Sequence, residues 1–301
     1  MSENFRNNKM ATLVEKVHKT PYEQINPRLP SLSQKGCTVL VTGGAAGIGH
    51  AISRAFAEAS ADRVIIVGRR PEAVTKGVAS LRSELDSSFQ GEIIGRVCEL
   101  SDLASIDQLW DSFAGEGIEI DVVVLNAASF SKGKPLLELG VEALLEDYQV
   151  NVVSSYRFAQ RLSKQNLGKK KHLVNVSTIS IHKFDTAAHH LNYAASKNAA
   201  ALLLQLLARE VSPDEIQILS FHPGAILTQP ARDHGHDENS HPWDNENLPG
   251  RFAVWAASEE ASFLHGRFVH AAWDVTELQS GKARSLIDDD PQLLRVGVKG
   301  L

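Results

Sequence analysis

The sequence predicts an α/β fold, a single domain in which a doubly wound parallel sheet carries helices on both faces. Short apolar segments alternate regularly with segments of helical spacing, which indicates right-handed βαβ units. The strand segments are β-branched and almost continuously apolar, as expected for strands that are buried on both faces. No internal repeat or break in composition separates a second domain within the 301 residues.

The predicted elements follow one another from about residue 36. Strands are expected at 37–44, 63–68, 92–100, 121–128, 171–178, 216–224 and 266–274. Helices are expected at 50–60, 71–85, 103–116, 141–162, 193–211 and 250–258. Pro71 suits the first turn of its helix, where no backbone N–H is needed. The polar tail after residue 275 has no clear element.

Two segments fall outside this alternation. Residues 1–35 hold three prolines, and we expect an N-terminal extension wrapped over the domain of residues 36–301 or partly loose. Residues 226–248 are polar, with prolines and histidines, and a long irregular segment in a compact domain is typically functional. We therefore predict a substrate lid there, named the lid segment below. Three of its histidines lie among carboxylates, but such loop clusters are weak metal motifs, so we predict solvated side chains and no metal site. They are His234, His236 and His241.

The composition argues against several classes of protein. The formal net charge is −5, from 31 basic and 36 acidic residues, so no basic excess indicates a nucleic-acid partner. No apolar run approaches the roughly 18–20 residues that cross a bilayer, and the N-terminal segment lacks the apolar core of a signal peptide. Cys37 and Cys98 do not form a disulfide framework, which fits a reducing compartment. We expect a cytoplasmic protein that binds neither nucleic acid nor membranes.

A glycine-rich loop joins the first strand to the first helix. In "VTGGAAGIGHAISRAF" (41–56), Gly43, Gly47 and Gly49 allow backbone angles and close approaches that a Cβ would block. The free N–H groups of the following helix attract a pyrophosphate. The spacing is G-x-x-x-G-x-G and not the G-x-G-x-x-G of the standard fingerprint. A purely structural turn is the alternative, but the position after the first strand of a doubly wound sheet favours a dinucleotide site.

The end of the second strand indicates which dinucleotide binds. An NAD site places a carboxylate there for the ribose 2′-hydroxyl, whereas an arginine favours a 2′-phosphate. Here Gly68 stands where an Asp would be, and Arg69 and Arg70 follow. Two solvated arginines are the alternative, but cations at a helix start oppose its dipole and so favour a bound anion. The sequence therefore predicts NADP(H).

Six motifs occur in order along the chain: "TGGAAGIG" (42–49), "LNAA" (125–128), Asn151, "VNVST" (174–178), "YAASK" (193–197) and "HPGAILT" (222–228). Their order and spacing resemble the short-chain dehydrogenase/reductase family, most closely its classical type, over about residues 35–275. The resemblance implies a Rossmann-type fold and oxidoreductase activity. Segments 21–36 and 266–275 are also similar to fungal members of the family found in secondary metabolism.

The resemblance implies a catalytic set. Tyr193 matches the general acid/base, Lys197 the lysine that holds the nicotinamide ribose and lowers the phenol pKa, and Asn151 the residue that supports a water relay. A free phenol has a pKa of about 10, so nearby positive charge is needed to make it a base. Positions i and i+4 share one face of a helix, which sets Lys197 beside Tyr193. The hydroxyl that polarises the carbonyl is Thr178 when counted from the strand end and Ser180 when counted back from Tyr193; we favour Thr178.

The resemblance also implies a cofactor-binding set, in which the lysine and tyrosine take part. Ala128 stands where the family has a glycine. The set comprises Gly43, Gly47, Ile48, Gly49, Arg69, Arg70, Glu99, Leu100, Asn126, Ala127, Tyr193, Lys197, Pro223, Gly224, Ile226 and Thr228.

Other features allow two interpretations. The segment "AAALLLQLLA" (199–208) is apolar almost all round, so it is deep core or a subunit interface; the resemblance favours an interface and a homodimer or homotetramer. The histidines at the active-site loop are interpreted as exposed polar residues: His182, His189 and His190. Three aromatic residues could line a substrate pocket but are interpreted as ordinary packing: Phe130, Phe184 and Trp243.

The main hypothesis is an NADP(H)-dependent oxidoreductase that interconverts a ketone or aldehyde and an alcohol (EC 1.1.1.-), a carbonyl reductase of secondary metabolism acting on a small molecule. One alternative is an NAD-linked alcohol dehydrogenase. Another is a cofactor-binding scaffold or cyclase on the same fold that does no redox chemistry, although the presence of Asn151, Tyr193 and Lys197 argues against it.

Overall fold

The computed structural model describes residues 13–131, 133–165, 168–187, 190–233 and 235–298. Its centre is a sheet of seven parallel strands in the order β3-β2-β1-β4-β5-β6-β7. The strands are β1 (Thr38–Thr42), β2 (Arg63–Gly68), β3 (Glu92–Val97), β4 (Val122–Leu125), β5 (Lys171–Val176), β6 (Ile216–His222) and β7 (Arg267–His270). This confirms the predicted doubly wound α/β fold. The strand order reverses between β1 and β4, where such sheets open a ligand crevice at the carboxyl ends of the strands.

Helices cover both faces of the sheet. They are α1 (Gly47–Glu58), α2 (Pro71–Glu84), α3 (Leu103–Gly115), α4 (Val141–Tyr148), α5 (Ser154–Ser163), α6 (Leu191–Leu207), α7 (Gln229–Asp233), α8 (Asn247–Ala256), α9 (Val275–Gln279) and α10 (Gly281–Asp289). Side chains alternate along β1, so Val39 and Val41 join the core under α1 and α8, whereas Leu40 joins the core under α3, α5 and α6. The two apolar layers explain why the strand segments are apolar on both faces.

The structure differs from the predicted elements most clearly in two helices and in the tail, and several strands are a few residues shorter than predicted, β7 above all. The helix expected at 141–162 is divided into α4 and α5 by a π-helical turn, Gln149–Val153. The helix expected at 193–211 begins at Leu191 and ends at Leu207. The tail after residue 275 forms α9 and α10, in which Leu278 and Ile287 are fully buried; their widely spaced apolar residues are too few to show a periodicity.

The described part of the N-terminal extension packs on the domain. Val14, Ile25 and Leu32 are at most 1% exposed. The hydroxyl of Tyr22 donates to the carbonyl of Trp273 and accepts from the N–H of Val275, both at 3.0 Å. The extension from residue 13 onward is therefore wrapped over the domain and is not loose, which is one of the two arrangements expected from the sequence.

Candidate active site

A cleft of about 600 Å³ lies at the carboxyl edge of the sheet, where the strand order reverses. The loops after β1, β2, β3 and β4 contribute its walls, and five residues of the predicted cofactor set line it: Gly43, Arg69, Glu99, Leu100 and Ala127. The segment Ala128–Ser131 continues the wall beyond β4. The structure thus brings the glycine loop and the carboxyl ends of four strands together at one place.

The glycine loop is closely packed, which explains its composition. Gly43 and Gly47 have φ of +66° and +53°, the left-handed region that favours glycine. A Cβ on Gly43 would lie 2.9 Å from Asn126 Nδ2, and one on Gly49 would lie 2.5 Å from the same atom. That amide nitrogen donates to the carbonyls of Thr42 at 3.0 Å and Gly43 at 3.3 Å. Asn126 therefore fixes the loop, and the residues present fit a dinucleotide, because no side chain caps the N–H groups at the start of α1.

Thr42 contributes to this turn and was not predicted. Its hydroxyl donates to the carbonyl of Val124 at 3.2 Å and accepts from the N–H groups of Asn126 at 2.9 Å and Ala127 at 3.1 Å. It is 2% exposed. A threonine at a strand end is ordinary in sequence, so only the structure shows that it joins β1 to the loop after β4.

Arg69 and Glu99 contribute charged side chains to the wall of the cleft. Arg69 is exposed and lines the cleft. Arg70 is exposed at the N-cap of α2 and is not among the lining residues. Glu99 accepts from the N–H of Ser101 at 3.0 Å and its hydroxyl at 2.8 Å. These hydrogen bonds, with the positive charge of Arg69, hold the pKa of Glu99 below its ordinary value.

Tyr193 and Lys197 lie in the first two turns of α6. The ammonium of Lys197 donates to the carbonyl of Val176, at the end of β5, at 2.6 Å. Burial lowers the pKa of Lys197 to about 8 and raises the pKa of Tyr193 to about 12. The sequence predicts a lowered phenol pKa, but in the chain alone burial raises it. Any lowering must therefore come from positive charge that is brought to the site.

Asn151 lies in the π-helical turn and is 2% exposed. Its Oδ1 accepts from the N–H of Ser129 at 2.8 Å, and its Nδ2 donates to the carbonyl of Ser129 at 3.0 Å and to Ser196 Oγ at 2.9 Å. The side chain thus ties the loop after β4 to α6, between Tyr193 and Lys197. These contacts make it a positioning residue, and its part in a water relay stays a prediction.

Thr178 and Ser180, the two candidate hydroxyls, lie in one short chain of hydrogen bonds. Thr178 Oγ1 accepts from the N–H of Ser180 at 3.3 Å and donates to Ser180 Oγ at 3.4 Å. Ser180 is 6% exposed, and its Oγ lies 2.9 Å from Thr186 Oγ1. Thr178 is more accessible than Ser180, which favours Thr178 as the hydroxyl that can meet a substrate.

Asp147 is a buried carboxylate next to this site that sequence reasoning missed. It is fully buried, and it accepts from Ser129 Oγ at 2.6 Å, Ser131 Oγ at 2.7 Å and Asn192 Nδ2 at 2.5 Å. Asn192 directly precedes Tyr193. Asp147 lies four residues before Asn151, and residues at that spacing share a helix face. This spacing was the available sequence signal, but an acidic residue in a helix is usually solvated, so it did not stand out.

Phe130 lies between the cleft and Tyr193. Its ring centroid is 4.8 Å from that of Tyr193 and 4.1 Å from that of His190. Phe130 therefore forms part of the wall of the candidate site. Its role is not limited to the ordinary packing that the sequence interpretation favoured. His190 is partly buried and contacts Phe130, so the interpretation as an exposed loop residue was wrong for it, whereas His182 is exposed as expected.

The remaining predicted features lie farther out. Phe184 is 59% exposed, and Trp243 packs within the lid segment against His236 and His241. His189 and His234 lie outside the described residues. Among the described residues, no cluster of three or more His, Cys, Asp or Glu side chains could hold a metal ion.

The loop after β6 brings the last part of the predicted cofactor set to the glycine loop. A Cβ on Gly47 would lie 3.7 Å from Thr228 Cγ2. Pro223 and Ile226 are buried, and the N–H of Thr228 donates to the carbonyl of Ile226 at 2.8 Å. Ile48 is partly buried and packs on the core below the loop. The loop after β6 therefore lies beside the glycine loop at Gly47.

Comparison with known proteins identifies the family of the chain. The sequence profile of the short chain dehydrogenase family matches residues 37–239. The short chain dehydrogenase/reductase AacuD of Aspergillus aculeatus is 29% identical over 281 residues, 93% of this chain and 94% of the relative. A short chain dehydrogenase/reductase of Claviceps purpurea is 34% identical over 269 residues, 89% and 88% of the two chains. The structure of a Beutenbergia cavernae protein named for NAD(P)-dependent gluconate 5-dehydrogenase activity, with NADP bound at low occupancy, superposes with a TM-score of 0.71 and 25% identity, covering 83% of this chain and 100% of that one.

The chain belongs to the short-chain dehydrogenase/reductase family, an oxidoreductase family that binds a nicotinamide cofactor. This confirms the resemblance found in the sequence. In the part of the chain that the structure describes, no helix has the length and apolar character needed to span a bilayer.

Proposed function

We propose that the protein is an NADP(H)-dependent carbonyl reductase, which reduces a ketone or aldehyde to an alcohol with Tyr193 as the general acid. The observation that carries this proposal is the contact of Tyr193 with Phe130, because it sets a partly buried phenol against a residue that lines the same cleft as Gly43 and Arg69. Burial raises the pKa of Tyr193 to about 12, so the hydroxyl carries its proton at neutral pH and can donate it.

Each group of residues would have a distinct role in the reaction. When bound, NADPH supplies a hydride. Tyr193 donates a proton to the carbonyl oxygen, and the hydroxyl of Thr178 donates a hydrogen bond to the same oxygen. The glycine loop, Asn126 and the loop after β6 hold the dinucleotide, and Lys197 binds its ribose. Asn151 and Asp147 keep the loop after β4 and the start of α6 in place.

The choice of Thr178 over Ser180 is open to a paired substitution. Thr178→Val keeps the shape and removes the hydroxyl, and we expect it to lower kcat by about 10²-fold, as the loss of an oxyanion donor does. Ser180→Ala removes the buried partner and should lower kcat less, by about tenfold or below. Turnover numbers of the two variants at saturating carbonyl would decide, and a larger loss for Ser180→Ala would reverse the assignment.

NADP(H) is proposed as the cofactor because Arg69 lines the cleft where no carboxylate follows β2. The NADP in the Beutenbergia cavernae structure supports the same choice. Arg69→Ala should weaken NADPH binding by about 10–100-fold, since a charge-assisted hydrogen bond contributes about 1.5–3 kcal/mol, and leave NADH binding almost unchanged. Fluorescence titration with both cofactors measures the ratio.

Lys76→Ala is the matched control for that titration, because it removes an exposed cation from the same helix, α2. Its ratio of NADPH to NADH affinity should equal that of the wild type. An unchanged ratio in Arg69→Ala would contradict the proposed cofactor preference.

The overall function is tested by following NADPH absorbance in the near ultraviolet with a panel of ketones and aldehydes. Consumption that depends on both the protein and a carbonyl supports the proposal. Faster turnover of alcohols with NAD would favour the alcohol dehydrogenase instead. Binding of NADPH without turnover of any carbonyl or alcohol would favour a non-redox scaffold or cyclase.

We further propose that the protein forms a homodimer or homotetramer. We also propose that it is cytoplasmic and that it acts in fungal secondary metabolism. Exposed apolar side chains on α4 and α6 support an interface: Val141 is 63% exposed, Leu145 61% and Leu206 48%. The long matches to relatives from Aspergillus aculeatus and Claviceps purpurea, which extend beyond residues 37–239, support the fungal assignment. Sedimentation of the protein as a monomer at micromolar concentration would contradict the oligomer.

The division into an extension (residues 1–35) and an NADP-binding catalytic domain (residues 36–301), with the lid segment at 226–248, is kept as part of the proposal. The irregular course of the lid segment around the short helix α7 supports it.

A further inference from the structure

We propose that the N-terminal extension fixes the base of the lid segment through Lys19 and Asp244, and thereby positions the loop after β6 for cofactor and substrate. The inference rests on the proposed function, because Pro223–Thr228 belongs to the loop after β6 that is proposed to hold the dinucleotide. Lys19 and Asp244 both lie outside residues 37–239, the region that the family profile matches.

A reciprocal pair of hydrogen bonds joins Ala225, which directly precedes the lid segment, to Asp244, which lies near its end. The N–H of Ala225 donates to Asp244 Oδ2 at 2.8 Å, and the N–H of Asp244 donates to the carbonyl of Ala225 at 2.8 Å. Gly224 has φ of +99°, and a Cβ there would lie 2.6 Å from Asp244 Oδ2. Glycine at this position therefore lets the carboxylate reach the backbone. We name Gly224, Ala225 and Asp244 the lid base.

Lys19 binds the lid base from the extension. Its ammonium donates to the carbonyl of Pro242 at 2.6 Å and lies 3.8 Å from Asp244 Oδ1. Its own carbonyl accepts from the N–H of Asn245 at 2.8 Å. The Asp244 side chain is only 13% exposed, against 57% for Lys19. The carboxylate is thus shielded from solvent, and it is held by a backbone amide on one side and a cation on the other.

The extension is itself held on both sides of Lys19. The N–H of His18 donates to the carbonyl of Ala272 at 2.7 Å, and His18 Nε2 lies 2.8 Å from Asp274 Oδ2. Tyr22 is fixed by its two hydrogen bonds to residues 273 and 275. Lys19 therefore acts on the lid base from a rigid position.

Lys19 and Asp244 are positioning residues under this proposal, because neither belongs to the set that would touch the reacting atoms. Without them, the lid segment and Gly224 would sample more conformations, and the cost of ordering them would be added to each binding step. The chemical step should change little, because Tyr193 and Lys197 are held by α6 and not by the lid base. Binding should weaken more than turnover.

The test compares Lys19→Ala and Asp244→Ala with two conservative variants, Lys19→Arg and Asp244→Asn. The control is Lys16→Ala, which removes an exposed lysine of the same extension that pairs with Asp274 at 3.5 Å and not with the lid. Hydrogen–deuterium exchange of peptides from 225–245 is measured on the full-length protein without cofactor. NADPH affinity, KM and kcat are measured on the same preparations.

The two alanine variants should exchange several-fold faster in 225–245, with Kd for NADPH and KM for the carbonyl raised about tenfold, as for loss of one charge-assisted hydrogen bond. Their kcat should stay within about threefold of the wild type. The conservative variants should recover most of the loss, and Lys16→Ala should match the wild type.

Unchanged exchange in Lys19→Ala would overturn the proposal, as would equally fast exchange in Lys16→Ala. A loss confined to kcat would also overturn it, because it would indicate a role in the chemical step. Failure of the wild type to bind NADPH would instead contradict the proposed function, and the exchange rates would still decide whether the extension fixes the lid base.

Discussion

Replacing Tyr193 by phenylalanine is expected to remove most carbonyl reduction while NADPH still binds. The substitution deletes only the hydroxyl that the proposed mechanism uses as a proton donor, and it keeps the ring that contacts Phe130. General acid catalysis contributes about 10²–10⁴-fold, so kcat should fall by a factor in that range. NADPH consumption at saturating carbonyl measures the loss, and fluorescence titration checks that cofactor binding is retained.

Tyr156→Phe is the matched control for this experiment. Tyr156 is 37% exposed on α5, and its hydroxyl accepts from Gln160 at 3.0 Å, away from the candidate site. That variant should keep wild-type kcat. A kcat of Tyr193→Phe within about threefold of the wild-type value would contradict the assignment of Tyr193 as the general acid.

Replacing Asp147 by alanine should lower both the free energy of unfolding and kcat, the second largest effect that we expect. The variant leaves donors on Ser129, Ser131 and Asn192 without their common acceptor; Asn192 is buried, and the two serines are partly buried. An unsatisfied buried donor costs about 1–3 kcal/mol, and partial rearrangement of the two serine hydroxyls leads us to expect a loss of about 2–4 kcal/mol in the free energy of unfolding. Chemical denaturation measures it.

The activity of Asp147→Ala should fall because Asn192 precedes Tyr193 and Ser129–Ser131 carries Phe130. We expect a lower kcat at a temperature where the variant is fully folded, with partial recovery in Asp147→Asn, which keeps an acceptor of similar shape. Asp111→Ala is the control, since that side chain is 68% exposed and surface pairs contribute about 0–1 kcal/mol. Equal stability of Asp147→Ala and the wild type would contradict the role given to this carboxylate.

The sheet was predictable because its central strands, such as β1, β2 and β4, are mainly apolar on both faces. Val122–Leu125, for example, is fully buried in the structure, and its continuous β-branched sequence already indicates a central strand. The tail was not predictable, because α9 and α10 are short and bury only a few side chains. The sequence also gives no sign of the π-helical turn, because its residues continue the helical spacing.

The candidate site was predictable where function needs an unusual residue type. Gly43 and Gly49 have no room for a Cβ, and Tyr193 with Lys197 stands out in an apolar helix. Asp147 and Asp244 could not be found in this way, because polar residues in a helix and in a loop are ordinary. What makes them special is burial, and burial depends on how distant segments fold onto them.

The π-helical turn at Gln149–Val153 also determines which way each half of its helix faces. A turn closed by an i→i+5 hydrogen bond holds one residue more than an α-helical turn, and one residue corresponds to about 100° of rotation. In an uninterrupted helix, Asp147 and Asn151 would fall within about 60° of Phe158 and Leu162, on a single stripe. In the structure, Phe158 and Leu162 are fully buried in the core with Trp110, whereas Asp147 and Asn151 bind the loop after β4. The extra residue rotates the two stripes apart, so that the helix can bury Phe158 and Leu162 against the sheet and still direct Asp147 and Asn151 to the site.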